Sequence, residues 1–87
     1  MDIKYLRHPL YLLHYIDDVT QFPGLNEKQI AAMTKHEEPI VNNIKEAILW
    51  AVQHPEFDFM AFDENLRHSN EDIYDYLCKV AKSLGLM

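Results

Sequence analysis

Residues 39–53 read P-I-V-N-N-I-K-E-A-I-L-W-A-V-Q, and this stretch decides the fold class. At 100° per residue, Ile40, Ile44, Ala47 and Ala51 fall on one helical stripe, with Val41, Ile48 and Val52 beside it. Leu49 lies almost opposite Ile40, and Trp50 shares its side with Asn43 and Glu46. A helix apolar on two sides asks for more than one neighbour. The stretch is therefore expected to be the central helix of a small bundle.

The segments around it read as further helices. Only two glycines occur, Gly24 and Gly85, and no run of alternating residues is long enough for a strand. The expected class is all-α, a single domain over residues 1–87 built from four or five helices. Toward the N-terminus, Pro9 suits a first helical turn, and a helix is expected from there to about Thr20. Gln21-Phe22-Pro23-Gly24 reads as a turn. Asn26 with Gln29 has capping-box spacing, which predicts a helix opening at Glu27. Pro39 disfavours helical geometry at Glu38, so this helix and the central one are expected to meet at a kink there.

Toward the C-terminus, His54-Pro55 ends the central helix. Residues 56–68 read as a loop with one short helix, Asp58 as its cap, and four large apolar groups, Phe57, Phe59, Met60 and Phe62, closing the end of the core. Ser69 with Asp72 again has capping-box spacing. Ile73, Leu77, Val80 and Leu84 then form the cleanest amphipathic stripe in the chain, and Gly85 is placed for a C-cap.

Composition narrows the function classes. Cys78 is alone, which excludes an internal disulfide and points to a reducing, cytoplasmic setting. The longest wholly apolar run, Ala47 to Val52, is too short to span a bilayer, and no signal peptide is expected. The net charge is −6. It is concentrated in residues 56–75, where seven acids face one base, Arg67. Duplex nucleic acid and anionic membranes are excluded as expected partners on that ground, and a protein with a basic surface is favoured.

No motif carries a reaction. Five histidines are present, and His14 and Asp18 stand one helical turn apart, yet Glu-x-x-His spacing is absent. No glycine-rich phosphate loop exists, and Cys78, Ser69, Ser83, Thr20 and Thr34 lack an activating context. No catalytic residue, cofactor or metal is expected. The leading expectation is a non-enzymatic binding protein of inhibitor, immunity or counter-defence type. Its partner would meet Glu56, Phe57, Asp58, Phe59, Asp63, Glu64 and Trp50, where acids interleave with aromatic anchors. A homodimer is expected from the small core and from Leu49 and Trp50. A structural oligomerisation module without ligand is a further reading. A different class of reading places a small ligand on Lys4, Tyr5, Arg7 and Tyr11, where rings stand beside cations.

The run Lys45–Ala51, K-E-A-I-L-W-A, resembles a segment of the phage-encoded cyclic-nucleotide sponge family. Glu46, Ala47, Trp50 and Ala51 are the matching positions. The resemblance implies a helical hairpin that oligomerises and holds cyclic nucleotides between subunits. It is confined to this run, and its four positions are helix-packing positions, so no ligand-binding residue is carried over from it.

Overall fold

The computed structural model describes residues 2–87. Among them the chain forms five α-helices and two 3-10 turns, with no strand. A 3-10 turn, Ile3–Leu6, leads into α1, Arg7–Leu13. A second 3-10 turn, Val19–Gln21, precedes α2, Glu27–Met33. Then come α3, Glu38–Val52, the four-residue α4, Phe59–Phe62, and α5, Asn70–Ser83.

The C-terminal stripe dictates the strongest packing. Ser69 caps α5 by accepting the Asp72 N–H at 3.1 Å. Ile73, Tyr76, Leu77, Val80 and Ala81 are then buried along one face. The helix ends where Gly85 adopts φ 74°. The Leu86 N–H returns to the Ala81 carbonyl at 2.8 Å and the Gly85 N–H to the Lys82 carbonyl at 3.1 Å, the two bonds of a Schellman cap. Against this face pack α3, α4, α1 and the Val19–Gln21 turn. Helix α3 packs on α5 and on the Ile3–Leu6 turn. It buries Ile44, Ala47, Ile48 and Ala51. The centre is thus a pair, α3 with α5, and more elements dock on α5. Leu49 and Trp50 are half-buried: the α3 face outside the main stripe is partly covered rather than fully enclosed.

Three local expectations are corrected. The first helix ends at Leu13, seven residues before Thr20. The chain tightens there, the Tyr15 N–H bonding the Leu12 carbonyl at 3.0 Å and the Ile16 N–H the Leu13 carbonyl at 3.1 Å, and Asp18 then opens a new turn by accepting the Thr20 N–H at 3.0 Å and the Thr20 hydroxyl at 2.6 Å. The same helix begins earlier, at Arg7, so Pro9 sits inside its first turn, where a missing N–H costs no bond. Finally, the two helices expected on either side of Pro39 do form, but residues 34–37 separate α2 from α3 and no kink joins them. Thr34 closes α2, Glu37 stands just before α3 without a side-chain capping bond, and Pro39 lies in the first turn of α3.

The Asn26 capping box forms in full: Asn26 Oδ1 accepts the Gln29 N–H at 2.8 Å, and Gln29 Oε1 accepts the Asn26 N–H at 2.9 Å. Yet α2 is anchored lightly. Met33 is its only buried residue, and Ala31 and Ala32 are exposed. That light docking leaves a groove between α1 and α2.

Candidate binding face

Helix α1 turns Leu10 and Leu13 inward, together with the preceding Leu6. At helical spacing this points Arg7, Tyr11 and His14 outward, and all three are exposed. Tyr11 is 66% exposed, and Tyr15, just beyond the helix, 70%. Their rings meet edge to face at 5.7 Å, and their hydroxyls lie 3.2 Å apart. The hydrogen bond to Tyr11 holds the Tyr15 phenol above its ordinary value. Exposed tyrosines held edge to face present large amphipathic rings of the kind enriched at docking surfaces.

Two grooves flank this row, and Arg7 and Tyr11 line both. On one side, α2 supplies Gln29, Ala32 and Met33, and His8, Leu12 and His36 complete a groove of about 490 Å³. On the other, Ala61, Phe62, Asp63, Glu64 and Asn65 face His14 across a groove of about 560 Å³. His14 Nε2 and Asp63 Oδ2 are 3.0 Å apart, so this second groove is bridged at one end. The Arg7 guanidinium stands 6.0 Å from the Phe62 ring centroid.

The sequence-predicted residues divide. Asp63 and Glu64 join Arg7 and Tyr11 in the second groove, so the two clusters read separately along the chain meet on one face. Trp50 and Phe57 lie elsewhere, in an aromatic cluster of the chain's own making. Trp50 stacks on His54 at 4.2 Å and meets Phe57 edge to face at 5.2 Å. Glu56 and Asp58 are exposed near that cluster in sequence and line neither groove.

Phe59 is a correction: it is wholly buried and cannot anchor a partner on the folded chain. Asn70 holds it there, accepting the Phe59 N–H at 2.7 Å and donating to the Phe57 carbonyl at 2.9 Å. Two of the acids between Glu56 and Glu64 have local roles, Asp58 as the expected cap and Asp63 besides. Asp58 caps α4 through the Ala61 N–H at 3.1 Å, and Asp63 accepts the Asn65 N–H at 3.0 Å besides facing His14. His14 therefore turns to Asp63 rather than to Asp18, which is occupied by Thr20. Lys4 pairs with Asp2 at 3.4 Å, and Tyr5 is half-buried against the core, so of the small-ligand cluster only Arg7 and Tyr11 border a groove.

At the run that resembles the sponge family, Ala47 and Ala51 are buried, Trp50 is half-buried and Glu46 is exposed. No group of three or more metal-ligating side chains occurs among the described residues. No described helix is long and apolar enough to cross a membrane. Comparison with protein-family models, with curated proteins and with solved structures yields no match to this chain.

The first groove was missed by sequence reasoning. Its walls come from α1 and α2, and His36 reaches it from the loop between α2 and α3. The ring of His36 meets that of His8 edge to face at 5.1 Å. No periodicity reports that two outward helix faces converge.

Proposed function

We propose that the chain is a small acidic binding protein, not an enzyme, whose outward α1 row and the adjoining 61–65 segment dock a partner protein. One observation carries this reading: Arg7 and Tyr11 form the shared wall of two grooves, beside a second exposed tyrosine and an acidic border at Asp63 and Glu64. Tyrosine and arginine are enriched at binding hot spots, and a cleft beside them supplies the pocket such anchors need. The acidic border favours a partner with a basic surface, as does the net charge of −6. Inhibition or neutralisation by occupying the partner's surface fits a chain of this size.

The test is retention of a partner from lysate on the tagged wild-type chain, compared with Tyr15→Ala and Tyr11→Ala/Tyr15→Ala. Both positions of change are exposed, so circular dichroism should be unaltered. A partner retained by wild type and lost by the double variant supports the reading. Equal retention by all three chains overturns it. Glu64→Gln should slow association and weaken its salt dependence, since an edge charge acts chiefly on the encounter.

A further inference from the structure

We propose that the groove between α1 and α2 is a binding site for a small aromatic carboxylate. The reading is independent of protein docking on the 61–65 side, with which it shares only Arg7 and Tyr11.

The groove has the make-up of a small-molecule site. Leu12, Ala32 and Met33 give it an apolar floor, and about 490 Å³ lies within the roughly 300–1,000 Å³ such sites occupy. Its flanks are flat: the Tyr11 ring on one side, the His8 and His36 imidazoles at an interplanar angle of 73° on another. Rings and a methionine thioether favour a planar π body over an aliphatic chain.

The polar lining is made of donors. The chain carries 14 carboxylates, and none of them lines this groove. Arg7 has no carboxylate at salt-bridge distance among the described residues, and its fork of N–H groups matches a carboxylate's two oxygens. Gln29 already spends its Oε1 on the Asn26 N–H, so the amide nitrogen is the part left to offer. His8 and His36 each add a ring N–H. Burial, and secondarily His36, keeps His8 below its ordinary pKa, while the Arg7 guanidinium is a permanent charge in the groove. One guanidinium balances one carboxylate. A phosphate dianion would bring a second negative charge to a chain already at −6.

Naphthoate is a suitable probe, with naphthylmethanol as its uncharged counterpart. Titrated into isotope-labelled protein, naphthoate should shift the amide resonances of Leu12, Ala32, Met33 and His36 saturably. Naphthylmethanol should bind at least about tenfold more weakly, the loss of one charge-assisted pair. Arg7→Gln should weaken naphthoate by about the same factor and leave naphthylmethanol unchanged. Ala32→Glu, at an exposed α2 position, should abolish naphthoate binding while leaving partner retention intact. Tyr15→Ala, at a residue that lines neither groove, should weaken partner retention and leave naphthoate binding unchanged, which separates the two readings. Shifts that do not saturate, shifts centred outside the groove, equal affinity for the alcohol, or an Arg7→Gln variant that binds as wild type would each overturn the site.

Discussion

The Tyr76 hydroxyl donates a hydrogen bond to the Pro9 carbonyl, joining α5 to α1 across 67 residues of sequence. Both residues are buried, and the Tyr76 ring also packs on Phe22 at 5.3 Å. The bond therefore holds in register the helix that presents Arg7 and Tyr11. Tyr76→Phe keeps the ring and removes the donor. It should cost about 1–2 kcal/mol, which for a domain of this size lowers Tm by roughly 5–15 °C. Burial holds the Tyr76 phenol well above its ordinary value of 10.0. The unfolded chain thus loses this proton first, and stability falls as pH rises above that value. Thermal melts at neutral and alkaline pH check both effects, and the alkaline loss should be smaller in Tyr76→Phe.

Asn70 clamps the segment between Phe57 and Phe59 by one accepted and one donated bond. Asn70→Asp keeps the acceptor for the Phe59 N–H but sets a carboxylate oxygen against the Phe57 carbonyl. A loss of about 1–3 kcal/mol is expected, despite the favourable placing of an acid in the first turn of α5. Urea unfolding measures the loss. Amide exchange should show protection falling first at Phe57, Phe59 and Ala61.

Gly24 adopts φ 119°, and a Cβ placed there would stand 2.7 Å from Ser83 Oγ. That oxygen is engaged, accepting the Leu25 N–H at 2.9 Å and donating to the Lys79 carbonyl at 2.9 Å. Gly24→Ala should then cost about 1–3 kcal/mol through backbone strain and the displaced serine. Ser83→Ala should cost about 1 kcal/mol by leaving the Leu25 N–H without its partner. The two losses share a cause, so the double variant should be less destabilised than their sum. A double-mutant cycle by chemical denaturation decides it.

His8 is held below its ordinary value of 6.5 by burial first and by His36 second. The unfolded chain therefore binds this proton more readily than the folded one. The stability His8 contributes is complete above 6.5 and is lost as pH falls below it. His36 meets its ring edge-on and Tyr5 stacks on it at 6.3 Å, so His8→Gln should flatten the acid limb of the stability profile. Denaturation midpoints between neutral and mildly acidic pH measure it.

Much of the fold was legible because it is written in local terms. The Asn26–Gln29 box, the Asp58 and Ser69 caps and the Gly85 stop each concern residues a few positions apart, and each forms as read. The stripes of α3 and α5 follow from helical periodicity: Ile44, Ala47, Ile48 and Ala51, and Ile73, Leu77 and Val80, are buried as read, while Ile40 and Leu84 at the helix ends are half-buried. The end of α1 was not legible, because Leu10 to Val19 keeps a helical apolar pattern although the chain tightens after Leu12 and Asp18 opens a new turn.

What the sequence by itself determined is the class, the caps, the buried stripes and the charge. Neighbouring residues decide those through periodicity, backbone preference and composition. Only the tertiary structure decided that Arg7 and Tyr11 would meet Asp63 and Glu64, that Phe59 would be core while Tyr11 stayed exposed, and that α2 would leave a groove beside α1. Those outcomes depend on how whole helices pack on α5. A helix face records that it needs a neighbour, but it does not record which neighbour arrives, or what that neighbour leaves uncovered.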